Sequence, residues 1–240
     1  MRAIITGTPR SGTKFTAAVL NACGVPTTHE HAFVHDRRLQ NQIVTQQWID
    51  DPAPLKAEVS WFVWPIADEI PDGALVFHQV REPWACIDSL ASRCTVLKDG
   101  FRGILHAFAA VPLEGNPHER AARLYCRWNE ECGRLRDKWF HVEMIRDEPE
   151  ILLEVLIEMG VHVSLRVARD AIRAADNQNY VQRERERDIQ VYAARMKADP
   201  SGPDPARNLT TRLTREQIEP KLTARTREAV YEAARRWGYS

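Results

Sequence analysis

The chain has 240 residues, 44% of them hydrophobic, and its 33 basic side chains balance 33 acidic ones. That length suits a single domain, residues 1–240, with a sizeable core, and a zero net charge argues against bulk binding to nucleic acid, which leaves a basic excess. No apolar run is long enough to span a bilayer, no leader pattern precedes the first strand, and five cysteines without C-x-x-C spacing (Cys23, Cys86, Cys94, Cys126, Cys132) fit reduced thiols in a cytoplasmic protein.

In chain order, residues 3–6 are a short apolar run and predict a strand. Residues 7–12 are a turn-rich, basic, hydroxyl-bearing loop, and residues 13–23 have helical spacing that stops at Gly24. A weaker strand falls near 26–28, a helix at 37–48 and a strand at 57–60. Residues 75–80 are mostly apolar and follow Pro71-Asp72-Gly73, as a buried strand should. Helices are predicted over 84–93 and 119–136, then a strand over 139–145. Helices follow at 149–159, opened by Pro149 and closed by Gly160, then at 164–175 and 223–237. This alternation predicts an α/β protein of three layers, with a mainly parallel central sheet covered by helices on both faces. Residues 176–213 differ. They carry Arg183-Glu184-Arg185-Glu186-Arg187 and then Pro200-Ser201-Gly202-Pro203-Asp204-Pro205, and read as a charged, proline-rich excursion near the rim of the site.

The strand, glycine loop and helix at the start of the chain make a place for a phosphate. Loop N–H groups and a helix N-terminus direct positive dipole at one spot. The loop reads Gly7-Thr8-Pro9-Arg10-Ser11-Gly12-Thr13-Lys14. An ATP- or GTP-binding loop, G-x-x-x-x-G-K-[ST], is one reading of it, with a small-molecule or nucleotide kinase as the activity. Gly7 and Gly12 have that separation, but Thr13 stands where the lysine belongs and Lys14 where the Mg²⁺-binding hydroxyl belongs. An ammonium has no lone pair to give a metal.

The segment Pro9-Arg10-Ser11-Gly12-Thr13 also resembles the 5′-phosphosulfate loop of sulfotransferases, P-[KR]-[SG]-G-T after the first strand. Lys14 stands where that family usually has a second hydroxyl. A second segment, Val80-Arg81-Glu82-Pro83 followed by a helix bearing Ser89, resembles the family's 3′-phosphate element. Arg81 would end a buried strand, where α/β sheets bind ligands, and a guanidinium fork suits a phosphate. Trp139 to Gly160, Arg127-Trp128 and the terminal Arg236-Trp237-Gly238-Tyr239 are similar to later elements of the same family. The likeness spans most of the chain outside 176–213, where no glycine-containing basic motif stands out and Arg207 and Arg212 are the substitutes. It implies a P-loop NTPase-like sulfotransferase fold. It also implies 3′-phosphoadenosine 5′-phosphosulfate (PAPS) as sulfuryl donor, with no metal. Pro9, Arg10, Ser11, Gly12, Thr13, Lys14, Arg81 and Ser89 would bind the donor.

Sulfuryl transfer needs an acceptor held in line, a base for its proton and cations for the charge on the departing phosphate. Arg10 and Lys14 suit the last task. His29-Glu30-His31 follows the second strand, and Glu30 resembles the base of related bacterial enzymes, with His29 and His31 as chemical rivals. A zinc site from His29, His31 and His35 is the metal alternative. Glu58 and Ser60, at the end of the 57–60 strand, are expected to point into the same cleft. Trp61, Phe62 and Trp64 would either wall it or belong to the core. The acceptor would be a hydroxyl or amine on a small molecule, carbohydrate or lipid. A non-catalytic nucleotide-binding protein is the remaining alternative.

Overall fold

The computed structural model describes residues 1–33, 48, 50, 53–92, 108–136, 138–177 and 212–240, and residues 93–96 by backbone alone. Residues 37–47 of the predicted 37–48 helix, His35, Arg207 and most of the 176–213 stretch therefore lie outside the described residues.

Among the described residues five strands form one sheet: β1 (Arg2–Thr6), β2 (Thr27–His29), β3 (Lys56–Val59), β4 (Leu75–Val80) and β5 (Lys138–His141). Their order is β2-β3-β1-β4-β5 and every pairing is parallel. A parallel sheet is covered on both faces, so its strands are apolar throughout rather than alternating. Ala3, Ile4 and Ile5 of β1 are all fully buried. Ala3 and Ile5 pack on one face with Phe15, Val19 and Leu20 of helix α1 (Thr13–Ala22), while Ile4 packs on the other with Phe33, Trp48 and Val76.

The second face is covered by α2 (Pro83–Val96) and α3 (Pro117–Leu135), whose Ile87, Leu90, Leu124, Tyr125 and Trp128 form an aromatic-rich core with Trp61 and Phe62. The starts of both helices are written in the sequence. Glu82 accepts from the N–H groups of Trp84 (3.1 Å) and Ala85 (2.6 Å) ahead of α2. Asn116 accepts from His118 and Glu119 ahead of α3, with Pro117 at its first position.

The strand expected over 139–145 is shorter. It ends at His141, and α4 (Met144–Asp147) follows. Its partner β4 stops at Val80, so beyond the Val142 N–H, which still donates to Val80 O at 2.9 Å, there is no edge to pair with. Helix α5 (Pro149–Glu158) and a helix α6 over residues 165–177 complete the α1 face. On the other, α7 (Arg215–Ile218) and α8 (Ala224–Arg236) pack on α2 and α3 and carry the chain back to the sheet. Among the described residues no helix is long and apolar enough to cross a membrane.

Central β1 has β3 on one side and β4 on the other. The chain leaves β1 toward β2 and leaves β4 toward β5, so the loops after β1 and β4 diverge. The crevice between them, at the carboxyl ends of the strands, is where open α/β sheets bind ligands.

Candidate active site

The loop after β1 is locked from below and open to charge above. Ser11 N–H closes a turn on Thr8 O at 2.9 Å. Gln79 Nε2, at the end of β4, donates to Ser11 O (2.9 Å) and Ser11 Oγ (3.1 Å). A Cβ on Gly7 would lie 2.5 Å from Gln79 O, so this close approach requires glycine. Gly12 takes the left-handed conformation (φ 95°, ψ 18°) at the N-cap of α1 and brings no side-chain cap. The first turn of α1 contains no acidic residue and carries exposed Lys14. A cation at a helix N-terminus opposes the dipole, so this arrangement is unfavourable until an anion joins it. Thr8 Oγ1 is buried and has no hydrogen-bond partner among the described residues. Arg10 sits at φ 75°, strained for a residue with a Cβ.

The second segment meets the first directly. Arg10 Nε donates to Ser89 Oγ at 3.0 Å, and Arg81 Nη1 donates to Arg10 O at 2.7 Å. Arg81 Nε lies 3.8 Å from Glu143 Oε1, and Arg81 O accepts from Tyr125 OH at 3.1 Å. Pro9 is buried, and its carbonyl accepts weakly from Cys86 Sγ at 3.7 Å. Burial pushes the Cys86 thiol up to about 12, which makes it inert packing. Residues expected from two motifs 71 positions apart thus form one contiguous cluster.

The third side of the crevice is the end of β2. His29 Nε2 is 3.1 Å from Thr13 Oγ1 and 3.4 Å from Glu30 Oε1. Burial, then the Lys14 charge, lowers the His29 pKa to about 4, so the ring is neutral near pH 7 and its contact with Glu30 is not an ion pair. Burial raises the Glu30 pKa. A hydrogen bond from the Trp61 side chain and the charges of Lys14 and Arg10 work against that rise, while Glu58 adds to it. Glu30 also has a positive φ of 52°. Two of the site's charged residues, Arg10 and Glu30, therefore hold strained backbones, and such strain persists where the surroundings over-determine it.

Glu58 and Ser60 do not face the crevice as expected. Both are fully buried. Glu58 takes a hydrogen bond from Thr28 Oγ1 and from the N–H groups of His31 (2.8 Å) and Ala32 (3.2 Å). Ser60 Oγ donates to Phe33 O at 2.6 Å and accepts from Phe62 N–H at 3.1 Å. The 30–33 turn roofs this strand end, so the two side chains hold the turn that presents Glu30. Trp61 and Phe62 are core: Trp61 lies 5.6 Å from the Trp128 ring and its carbonyl accepts from Trp128 Nε1. Trp64, half-buried, lies 5.1 Å from Trp128. Arg212 borders a cavity of about 310 Å³ with Trp84, Ala85 and Asp88. Ala85 is one helical turn from Ser89 and four residues along the chain from Arg81. Among the described residues no group of three His, Cys, Asp or Glu is arranged to hold a metal ion.

Gln79, Glu143 and Tyr239 belong to the site's framework, and no motif in the sequence singles them out as site residues. The available sign was Gln79 itself, a polar residue inside an otherwise buried strand end.

The fold and loop define an α/β protein with an anion-ready turn at the carboxyl end of its central strand. No family model and no curated protein sequence matches the chain. Among solved structures it is similar to a sulfotransferase domain from the curacin biosynthetic pathway, at TM-score 0.49 and 13% identity over 69% of this chain and 75% of that one. It is also similar to the mouse sulfotransferase SULT7A1 complexed with PAP, at TM-score 0.50 and 12% identity over 98% of this chain and 84% of that one. The second likeness runs nearly the length of the chain and is one of fold: the protein has the sulfotransferase fold.

Proposed function

We propose that this protein is a sulfotransferase. It would move a sulfuryl group from PAPS to a hydroxyl or amine on a small-molecule, carbohydrate or lipid acceptor. The observation that carries the reading is the cluster of Arg10, Lys14, Arg81 and Ser89 at an uncapped helix start with no acid in its first turn. Two grips meet there, as a nucleotide with phosphates at both 5′ and 3′ positions requires. Support also comes from the fold shared with SULT7A1, whose structure holds PAP.

In this reading the loop amides, the α1 N-terminus and Lys14 hold the 5′-phosphosulfate. Arg81 and Ser89 hold the 3′-phosphate. Arg10 serves both sides, since its Nε reaches Ser89 while its charge acts on Glu30. Glu30 takes the acceptor proton. The acceptor oxygen or nitrogen bonds to sulfur as the bond from sulfur to the phosphate oxygen breaks. The electron pair leaves with 3′-phosphoadenosine 5′-phosphate (PAP), where the same cations stabilise it. Holding donor and acceptor in line supplies the rest of the rate.

Calorimetric titration with PAP and with adenosine 5′-phosphate tests the donor, and an acceptor screen with radiolabelled PAPS tests the transfer. The expected results are binding that prefers PAP and label transferred to at least one acceptor class. Equal affinity for the two nucleotides, or Mg²⁺-dependent binding of ATP in preference to PAP, would overturn the assignment.

A further inference from the structure

Arg81 is held in place by the protein itself. Its Nη1 donates to Arg10 O at 2.7 Å, and its Nε faces Glu143 Oε1 at 3.8 Å. Glu143 stands at the N-terminus of α4 and makes two further contacts. Its Oε1 accepts from Glu82 N–H at 3.0 Å, and its Oε2 accepts from Tyr239 OH at 3.0 Å. Tyr239 reaches it from beyond α8, through Gly238 at φ 73°. A carboxylate this near a phosphate loop disfavours an anion unless its charge is directed at a cation. Arg81 is that cation.

We propose that Glu143 and Tyr239 are positioning residues for Arg81, forming with it a chain from the C-terminal segment to the 3′-phosphate grip. The inference rests on the PAPS-binding reading above. Glu143 draws the Nε edge of the guanidinium toward it by charge at 3.8 Å, the Arg10 carbonyl takes a hydrogen bond from Nη1, and the rest of the fork is thereby aimed. The phenol of Tyr239 fixes the second carboxylate oxygen, so Glu143 cannot swing away from Arg81. The same chain ties the strained carbonyl of Arg10 to the end of β4. A long guanidinium side chain loses rotamer freedom when it binds, and one already fixed has less to lose.

The test is calorimetric titration of PAP and adenosine 5′-phosphate into wild type, Glu143→Ala, Glu143→Gln, Tyr239→Phe, Arg81→Ala and the Arg81→Ala/Glu143→Ala double variant. For Glu143→Ala, PAP affinity should fall about fivefold, the worth of one part-exposed ion pair, while affinity for adenosine 5′-phosphate stays within about twofold. Tyr239→Phe should lose about threefold on PAP alone. The double variant should bind PAP no more weakly than Arg81→Ala, since a residue acting through Arg81 has nothing left to act on. Glu143→Gln keeps the side-chain shape and an acceptor oxygen and removes the charge, so it should fold even where alanine does not, and it should lose PAP selectively.

Equal losses on the two nucleotides, or a further loss in the double variant, would mean a structural role and would overturn the positioning. An unchanged PAP affinity in Glu143→Gln and Glu143→Ala would overturn it too. A wild type that does not distinguish PAP from adenosine 5′-phosphate would overturn the donor reading itself, and the positioning with it. The wild-type ratio and the variant ratio therefore fail separately.

Discussion

Two side chains at the end of β2 compete for one task, and their surroundings separate them. His29 is neutral near pH 7 because burial and Lys14 hold its pKa at about 4, and its Nε2 is already engaged with Thr13. A base so weak takes a proton poorly. Glu30 has the opposite history: burial raises its pKa from the ordinary carboxylate value, which makes its anion a stronger base. Arg10 and Lys14 nearby keep that anion accessible. Glu30→Gln should therefore lower sulfuryl transfer from PAPS about 10²–10⁴-fold, the usual worth of a general base, with PAP affinity little changed. His29→Ala should cost less. The rate should fall as pH drops through the raised pKa of Glu30, because only the carboxylate accepts the proton, and Glu30→Gln should lose that limb. Initial rates with radiolabelled PAPS from pH 5 to 8 check both, with water as acceptor where no other is at hand. A Glu30→Gln enzyme that retains full rate and the acidic limb would move the task to another group.

At the scale of elements, local signals were readable and long-range ones were not. The strand over 75–80 and the Pro149 helix follow from runs, caps and turns within a few residues of each other, and the structure has both. Glu58 and Ser60 lie under a cover that their strand's period does not encode, because the period gives the face but not what packs over it. The cover is the 30–33 turn, whose N–H groups Glu58 binds. Arg81, Glu143 and Tyr239 meet across separations of 62 and 96 residues, which no local pattern encodes. The same holds for Glu119. It lies in the first turn of α3, only 2% exposed, and accepts from Thr223 N–H (2.8 Å), Thr223 Oγ1 (2.9 Å) and Thr226 Oγ1 (2.5 Å) at the start of α8, and from Arg123 (2.8 Å). Burial alone would raise its pKa, but these donors outweigh burial and lower it. One carboxylate thus joins two helix starts. Glu119→Ala strands the Thr223 N–H and the two threonine hydroxyls, while Thr223 Oγ1 still caps α8 by accepting from Thr226 N–H, and leaving such buried donors unpaired costs about 1–3 kcal/mol. Denaturant unfolding should show that loss at pH 7. Because the folded pKa is depressed, the wild-type advantage is present above the ordinary carboxylate value and shrinks as pH falls through the folded one. A loss under about 1 kcal/mol would mean that α8 docks through its apolar face alone.

For the molecule as a whole, the C-terminal segment closes over a polar patch buried beneath it, and that closure should make stability depend on acid. His78 of β4 is fully buried. Its Nε2 is 3.0 Å from Asn129 Oδ1, an acceptor, so Nε2 carries the proton, and Nδ1 has no hydrogen-bond partner among the described residues. The Trp237 ring crosses it edge-on at 4.6 Å, and Gly133 gives that ring room, since a Cβ there would lie 2.8 Å from Trp237 Cη2. A second proton on His78 would be buried without an acceptor. Burial therefore lowers its pKa to about 4, with Asn129 opposing and Arg136 assisting. The unfolded chain takes that proton near pH 6.5 and the folded one does not until about 4, so stability is full above 6.5 and declines between the two values. His29 adds a decline over the same window. Buried Glu30 and Glu58 have raised pKa values and act in the opposite direction as pH falls, so a bulk melting curve mixes the signs. Comparison with His78→Gln isolates one group, because the glutamine amide can still donate to Asn129 and cannot titrate. At pH 7.5 wild type should melt above the variant, which loses packing on Trp237. At pH 5 wild type alone bears a cost of about 2 kcal/mol at His78, so the gap should close by about 4–8 °C. A gap independent of pH would mean that His78 finds a proton acceptor when charged, and that the closure over the sheet is looser than its packing implies.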